Sequence, residues 1–335
     1  MKLNILPEAL NRFMPNKNYK ILIIGFGSIG RRHYKNLTGL GFKKVYIFDI
    51  DKKRIANQNL KITSLNLKTL QQFNIVFVCG PSNLHIKHSL LAAKAGCHLF
   101  IEKPLSHNLH GVEELQKICR KLKLVSLVAC NMRFNPCLLS LKNYLAAGRL
   151  GKIYSLGLET GYYLPFWRPE EDYSKSYAAK NSAGGGIILD GGIHNFDLLF
   201  WLNNFNPIAE ADLIYNKASD LKINTEDNFI SFFKFKNKIL GFVKGDYLQK
   251  TYSWTLKAVG EKGNLEWDFK KNAVWLYNES GAKKLFKPKQ LDINQMYIDE
   301  VNYFIKCVAE KRTTFNDIAR SARILKIILD NKHGK

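Results

Sequence analysis

The chain contains little cysteine and no long apolar run. Its six cysteines form no CxxC pair or other metal-ligand spacing, so neither a disulfide framework nor a zinc site is indicated. No apolar run approaches the length that spans a bilayer, and the first residues lack the apolar core of a signal peptide. We therefore expect a folded cytoplasmic protein with no membrane partner and no metal.

Acidic residues are scarce relative to basic ones. Asp and Glu number 28 against 51 Lys and Arg, which gives a formal net charge of +23. A charge of this size can indicate a nucleic-acid partner. Only eleven of the basic residues are arginine, however, and the lysines are scattered along the chain rather than gathered in a patch. We therefore expect no nucleic-acid partner, although such a surface would attract anionic substrates such as sugar nucleotides.

Three spaced glycines follow a short apolar segment near the start of the chain. Residues 21–24 read as a strand and run directly into Gly25-Phe26-Gly27-Ser28-Ile29-Gly30. In this pattern the first glycine permits a tight turn, the second lets the backbone approach a pyrophosphate, and the third lets the helix pack close to the strand. Phosphates bind readily at such a helix N-terminus. The sequence therefore predicts a bound dinucleotide in contact with Gly25, Gly27, Ser28, Ile29 and Gly30.

Asp49 ends the next apolar segment and follows the last glycine by 19 residues. An acid at this position is expected to accept hydrogen bonds from a ribose 2′-hydroxyl. A 2′-phosphate would meet like charge there, so NAD is favoured over NADP. Two alternatives stay open: Lys52, Lys53 and Arg54 would neutralise such a phosphate, and Asp49 is also a residue type that caps helices or forms turns.

The pattern of elements predicts two domains. Over residues 20–130 five apolar segments alternate with helical patterns, which predicts a Rossmann-type parallel sheet covered on both faces. From about residue 150, longer strands with short turns predict an α+β domain on a large, mostly antiparallel open sheet. The fold class is therefore α/β. The expected parts are an N-terminal extension (1–18), the NAD-binding domain (19–135), a substrate-binding and oligomerisation domain (136–290) and helices that pack back on the Rossmann domain (291–335).

Glu102-Lys103-Pro104 follows a predicted strand at the carboxyl edge of the parallel sheet. Ligands of open α/β sheets bind at that edge, and a lysine there is able to stabilise a developing alkoxide. A plain surface lysine is the more common interpretation in so lysine-rich a chain.

Asp190, His194 and Asp197 recur at i, i+4 and i+7 in a helix predicted over residues 186–202. They would line one stripe of an otherwise apolar helix, and burying such a stripe without a purpose is costly. Histidine is also the side chain best suited to move a proton at neutral pH. The alternative is a core histidine held by a neighbouring carboxylate.

Taken together and in this order, three segments resemble the Gfo/Idh/MocA oxidoreductases: residues 25–33, residues 95–105, and the glycine-rich segment that ends in Asp190 and His194. The resemblance implies that Lys103 contacts cofactor and substrate, and that Asp190 and His194 flank the reacting hydroxyl. It implies a cis peptide before Pro104. Further cofactor contacts are implied for Pro81, Asn83, His85 and Glu102, and substrate contacts for Arg133, Asn135, Trp167, Arg168 and Tyr177.

Ordinary loop chemistry is the alternative for several of these residues. Pro81, Asn83 and His85 follow a predicted strand, where turn residues are common. Trp167 and Arg168 would equally suit a plain exposed loop.

The resemblance implies an NAD-dependent dehydrogenase acting on a secondary hydroxyl of a sugar, sugar nucleotide or cyclitol. His194 would act as general base, Lys103 would stabilise the developing alkoxide, and Asp190 would position the sugar hydroxyl. One alternative is an NAD enzyme with no net redox change, by oxidation and elimination or by hydride exchange between sugars. Another is a non-catalytic NAD-binding regulator. We expect a homodimer or homotetramer, because a sheet this large needs both faces covered.

Overall fold

The computed structural model describes residues 16–290 and 292–333, which divide into two compact units. The first unit runs to Asn131 and includes Ile293–Lys326, and the second comprises Met132–Asp292 with the residues from Ile327 on. The expected boundary at residue 135 stays a prediction beside this division after Asn131. The expected extension over residues 1–18 lies almost wholly outside the described residues.

The first unit is built on a five-stranded parallel sheet with strand order β2-β1-β3-β4-β5. Each strand lies where the sequence predicted one, and helices cover both faces. The strands are β1 Ile21–Ile24, β2 Val45–Phe48, β3 Ile75–Val78, β4 His98–Ile101 and β5 Ser126–Val128. The helices are α1 Ser28–Gly39, α2 Leu67–Leu70, α3 His85–Lys94 and α4 Val112–Lys121. Of these, only the single turn α2 was not predicted.

Alternate residues of β1 enter two separate cores. Leu22 and Ile24 pack in the cluster that includes residues of α3 and α4, and Ile21 and Ile23 pack in the cluster on the other face of the sheet. Burial of each such side chain contributes roughly 1.5–3 kcal/mol relative to its exposure. Because both faces are covered, the strand is apolar throughout, as a doubly covered parallel strand requires.

The described residues of the second unit form three α-helices before the closing helices and a nine-stranded sheet ordered β13-β12-β11-β10-β6-β9-β8-β7-β14. Its helices are α5 Pro136–Ala146, α6 Leu164–Trp167 and α7 Ile193–Leu202. Its strands are β6 Ile153–Gly161, β7 Ile208–Asn216, β8 Asn228–Phe235, β9 Leu240–Asp246, β10 Ser253–Gly260, β11 Gly263–Asp268, β12 Ala273–Asn278, β13 Gly281–Phe286 and β14 Lys332–His333. The mostly antiparallel sheet is confirmed. The sequence did not predict β13, an exposed edge strand, or the two-residue β14.

One parallel pair interrupts the otherwise antiparallel centre of this sheet. Strands β6 and β9 run side by side in the same direction, with Gly161 opposite Asp246. Both strands therefore end at the same edge. The next residues, Tyr162 and Tyr247, leave the sheet together, and the Tyr162 N–H donates to the Asp246 carbonyl at 3.1 Å.

The helix predicted over residues 186–202 is not one continuous α-helix. A π-helical turn, Ile188–Gly192, precedes α7. Within it a side chain on Gly192 would lie 2.6 Å from the Phe229 ring, so the turn packs directly on β8. The i, i+4, i+7 stripe predicted for Asp190, His194 and Asp197 is therefore wrong, because α-helical spacing does not run through a π turn.

Two long helices, α8 Ile293–Ala309 and α9 Ile318–Asp330, follow β13 in the sequence. Val301, Phe304 and Ile305 of α8 belong to the core that contains Phe77 and Phe100 of the first unit. Beyond α9, strand β14 pairs in parallel with β7 in the second unit. No helix in the described ranges is both long enough and apolar enough to span a membrane.

Candidate active site

The glycine turn has the geometry that a dinucleotide requires. Gly25 adopts φ +95°, and a side chain there would lie 2.7 Å from the Gly80 nitrogen. A side chain on Gly30 would overlap the carbonyl oxygen of Gly25, so this glycine lets α1 pack against the turn. Gly27 differs, because among the described residues other than its two chain neighbours nothing lies closer to its missing Cβ than the Arg54 guanidinium at 4.0 Å. The fold thus requires the first and third glycines and leaves space beside the second.

The open side of Gly27 is the observation that tests the fit of NAD. Gly27 is the N-cap of α1 and, as a glycine, supplies no side-chain cap. Backbone N–H groups at an uncapped helix start, with the macrodipole behind them, bind phosphate. The residues present therefore fit a pyrophosphate at this turn.

Asp49 fastens the glycine turn to the end of β2. Its buried carboxylate accepts the Phe26 N–H at 2.6 Å through Oδ2 and the Asp51 N–H at 2.8 Å through Oδ1. Asp51, rather than Asp49, caps the short helix that follows. Arg54 lies 3.8 Å from the Asp49 carboxylate. The adjacent Ile50 is 89% exposed. It was not among the predicted site residues, although its position between two aspartates at the end of a strand could have indicated an exposed apolar side chain.

The lysine loop (Glu102-Lys103-Pro104) leaves the carboxyl end of β4. The Lys103–Pro104 peptide is cis, as the resemblance implied. Glu102 is buried and accepts a hydrogen bond from His33 of α1 at 2.7 Å. Burial raises the pKa of the Glu102 carboxyl, but the hydrogen bond and charge of His33, aided by Lys103 and His85, bring it below its ordinary value. Glu102 therefore stays ionised beside Lys103.

The loop after β3 carries the other predicted cofactor residues. Pro81 and Asn83 are exposed, and Pro81 precedes a short 3-10 helix. His85 is buried, and its ring nitrogens lie 2.8 Å from the Pro104 carbonyl and 2.9 Å from the Gly80 carbonyl. Both ring nitrogens of His85 therefore contact backbone carbonyls of the protein. Burial lowers the pKa of His85, although both carbonyls and Glu102 act in the opposite sense.

In the second unit Asp190 lies among three tyrosine hydroxyls. Tyr177 donates to Oδ1, and Tyr162 and Tyr247 approach Oδ2 at 3.1 and 3.3 Å. Burial raises the pKa of Tyr162 and Tyr247 well above its usual value, and the charge of Asp190 adds to this. These phenols therefore remain donors that hold the carboxylate. Of the three, the sequence singled out only Tyr177; that two strands would end side by side at Tyr162 and Tyr247 is not visible in the sequence.

Aromatic rings lie next to His194 and next to the tyrosines that contact Asp190. The half-buried His194 ring lies 5.8 Å from Trp254, whose indole N–H donates to Asn195 at 2.6 Å. Trp167 lies 4.6 Å from Tyr162 and is 52% exposed. These rings offer flat apolar surface near the Asp190 carboxylate. This combination suits the faces and hydroxyls of a sugar ring.

Three predicted substrate residues are engaged within the second unit. The buried Arg133 makes a two-point ion pair with Asp197, at 2.6 and 2.7 Å. The Asn135 side chain caps α5 by accepting the Cys137 N–H at 2.9 Å. Arg168 lies 3.4 Å from Glu171 on the surface. The structure therefore brings Tyr177 and Asp190 together, and it places Arg133 and Asn135 in contacts that support the fold.

A Rossmann sheet with a dinucleotide turn, joined to an α+β unit on a large open sheet, defines a class of nicotinamide-dependent oxidoreductases. The family model described as "Oxidoreductase family, NAD-binding Rossmann fold" matches residues 19–130, and the GFO/IDH/MocA C-terminal domain matches residues 138–266. The chain belongs to the Gfo/Idh/MocA family, and its first unit is an NAD-binding domain. The resemblance noted in the sequence is confirmed.

Several characterised proteins are similar over most of the chain. Myo-inositol 2-dehydrogenase of Thermotoga maritima is 26% identical over 310 residues, covering 86% of this chain and 88% of that protein. The scyllo-inositol 2-dehydrogenase (NAD(+)) of Bacillus subtilis is 23% identical over 87% of this chain and 86% of its own length. A levoglucosan dehydrogenase in complex with NADH and L-sorbose matches with a TM-score of 0.81 at 17% identity, covering 94% of this chain and 96% of that one. At that identity the last likeness concerns the fold alone.

Proposed function

We propose that the protein is an NAD-dependent dehydrogenase that oxidises a secondary hydroxyl of a sugar or cyclitol, or catalyses the reverse reduction. The observation that carries this proposal is Asp190, held by three tyrosine hydroxyls next to exposed aromatic rings, in a chain whose other unit binds NAD. Relatives named for inositol and levoglucosan support the same substrate class.

The proposed catalytic residues are Lys103, Asp190 and His194. Bound NAD would supply the acceptor for the hydride that leaves the carbinol carbon. We propose that His194 takes the hydroxyl proton on a ring nitrogen, since imidazole titrates near neutral pH. The Lys103 ammonium stabilises the developing alkoxide. Asp190 accepts a hydrogen bond from the sugar, and Tyr162 and Tyr247 keep its carboxylate in place.

Replacing Lys103 by Met tests the assignment. We expect turnover to fall by about 10³-fold, because one preorganised charge at a developing oxyanion contributes about that much. NADH affinity should change little. Sugars, inositols and sugar nucleotides would be screened by NAD reduction at 340 nm, and NADH binding by fluorescence titration. Lys87→Met, on the exposed side of α3, is the matched control.

Two results would contradict the proposal. Full activity in the Lys103→Met variant would exclude the catalytic role of that residue. Product formation without a net change in nicotinamide absorbance would exclude simple dehydrogenation and favour a reaction with no net redox change.

We further propose that a second copy of the chain covers the open face of the large sheet. Phe229 and Phe233 of β8 pack on Phe196 and Phe200 of α7, so the alternate residues of β8 point to the opposite face. On that face Ile214, Phe232 and Leu240 are 53%, 49% and 56% exposed on three neighbouring strands. An exposed apolar patch of this kind is typical of an oligomer interface.

Charge substitution on this face tests the oligomer. Phe232→Lys and Leu240→Lys should shift the molar mass measured by light scattering toward that of the monomer, because each places a lysine in the apolar contact. Leu122→Lys, at an exposed apolar site of the first unit, should leave the mass unchanged. An unmodified protein that is already monomeric would refute the proposal.

We also propose that the protein is cytoplasmic. All six cysteines are free thiols and buried. Free thiols are typical of proteins in a reducing compartment.

A further inference from the structure

Two buried histidines hold the lysine loop from opposite sides. His33 belongs to α1, the helix that begins at the glycine turn, and its Nε2 lies 2.7 Å from Glu102 Oε1. His85 begins α3, and its Nδ1 lies 2.8 Å from the Pro104 carbonyl. Both rings are at most 1% exposed. Neither reaches the surface, so each acts only through the groups it contacts.

The His33 contact continues into the backbone of Lys103. Glu102 uses Oε1 for His33 and Oε2 to accept the Lys103 N–H at 3.2 Å. The carboxylate thus joins α1 to the main chain of the lysine. His33 Nδ1 is buried among Phe77, Phe100 and Tyr297 and has no hydrogen-bond partner in the described part of the chain, whereas Nε2 faces Glu102 and donates to it.

The His85 contact continues to the glycine turn. Its Nε2 lies 2.9 Å from the Gly80 carbonyl, and Gly80 is the residue against which Gly25 packs without a side chain. These contacts form a closed ring within the first unit. The glycine turn leads into α1, whose His33 contacts Glu102, and the lysine loop continues from Glu102 to Pro104. Pro104 contacts His85, His85 contacts Gly80, and Gly80 packs against Gly25. Each link is a covalent connection, a hydrogen bond or a close contact; a neutral His85 ring carries one N–H, so it donates to one of the two carbonyls and lies in close contact with the other.

We propose that His33 and His85 are positioning residues that fix the Lys103 backbone relative to the NAD-binding turn. A reacting group displaced by about 1 Å loses about 10²-fold in rate, so this support matters for a lysine that must meet one substrate oxygen. The expected loss of rate rests on the proposed function of Lys103, whereas the expected ordering of the lysine loop rests on the contacts alone.

Amide hydrogen exchange of the lysine loop tests the structural part without any substrate. His33→Phe suits the aromatic surroundings of the ring and removes the donor to Glu102; His85→Leu removes both carbonyl contacts and leaves Glu102 paired. We expect peptides covering residues 102–106 to exchange about tenfold faster in each variant. The control His98→Phe, at the other end of β4, removes a hydrogen bond to the Val125 N–H and should leave this loop unchanged.

Conservative variants separate positioning from general destabilisation. Gln places an amide N–H where His33 Nε2 stood, so His33→Gln should restore most of the protection. At position 85, Asn reproduces the reach of Nδ1 toward Pro104 and Gln that of Nε2 toward Gly80. His85→Asn should therefore protect the loop better than His85→Gln.

Kinetics provide the second readout. With myo-inositol and NAD, kcat should fall about 100-fold in His33→Phe and His85→Leu, with the Kd for NADH within about threefold of the unmodified protein. Unchanged exchange over residues 102–106 in both variants, or equal effects of His98→Phe, would overturn the inference. If the unmodified protein binds no NADH, the proposed function fails instead, and the exchange comparison still decides the role of the two histidines.

Discussion

At the scale of single residues, Asp49 and Arg54 are the pair that bears on the choice between NAD and NADP. Both oxygens of Asp49 already accept backbone N–H groups, and Arg54 lies 3.8 Å away with about half of its side chain exposed. Lys52 instead lies 3.3 Å from the Thr63 carbonyl. Of the three basic residues that left NADP open in the sequence, Arg54 is therefore the one placed beside Asp49.

Replacing Arg54 by Ala should sharpen the preference for NAD. A 2′-phosphate near Asp49 needs a compensating cation, so we expect the affinity for NADPH to fall about tenfold, equivalent to about 1.4 kcal/mol. The Kd for NADH should change by less than about threefold. Fluorescence titration with both cofactors measures this, and the exposed Lys53→Ala is the control of equal charge. Equal losses for NADH and NADPH would show that Arg54 does not read the 2′ position.

Some contacts between single residues could not be predicted from the sequence. Arg133 was predicted to contact the substrate and Asp197 to share a helix stripe with Asp190 and His194, yet Arg133 and Asp197 form a buried ion pair with each other. Their separation in sequence, 64 positions, gives no indication of this contact. A buried charge needs a partner, but only the folded chain identifies it.

At the scale of elements, the glycines of the turn meet two different requirements: Gly30 is required by the packing of the fold, and Gly27 by the proposed ligand. A side chain on Gly30 would overlap the Gly25 carbonyl, whereas beside Gly27 the chain leaves space. The turn from β1 into α1 is therefore constrained by packing at one glycine and open at the other.

Alanine substitutions distinguish these two requirements. Gly27→Ala should lower the free energy of unfolding by about 1 kcal/mol, since Ala is a poorer N-cap than Gly. It should weaken NADH binding about 100-fold, because a methyl group fills the pyrophosphate position. Gly30→Ala should lower stability by about 1–3 kcal/mol or more, as overpacking does. Denaturant unfolding and NADH titration measure both. Tight NADH binding by Gly27→Ala would refute the placement of the pyrophosphate.

The π turn is the element that the sequence did not predict. Apolar spacing over residues 186–202 indicated one helix, and the extra residue of a π turn leaves no mark in such a pattern. Its effect is to separate Asp190, which faces three tyrosines, from Asp197, which pairs with Arg133. Functional sites often contain such turns.

At the scale of the molecule, the histidines of the first unit make its stability depend on pH. Burial lowers the pKa of His88 from 6.5 to about 4, and burial also lowers the pKa of His85 and His98. Between about pH 4 and 6.5 the unfolded chain therefore binds more protons than the folded chain at His88. The free energy of unfolding rises with pH in this window and is lost as pH falls through it.

Removing one such group should flatten the dependence. His88→Leu should reduce the slope of the free energy of unfolding between pH 4 and 6.5 by up to about 1.4 kcal/mol per pH unit. Urea unfolding at several pH values measures the slope, and the exposed His110→Leu is the control. An unaltered slope in His88→Leu would mean that His88 is protonated equally in both states.

The sequence by itself determined the Rossmann sheet, the glycine turn with Asp49, the lysine loop at the carboxyl edge and the change to a mostly antiparallel sheet. These follow from local rules: strand and helix periodicity, and glycines where backbone must approach backbone. Only the tertiary structure decided which side chains meet. Tyr162 and Tyr247 reach Asp190 because two parallel strands end together, and His33 and His85 hold the lysine loop from α1 and α3. Contacts between distant residues depend on packing, which periodicity does not encode.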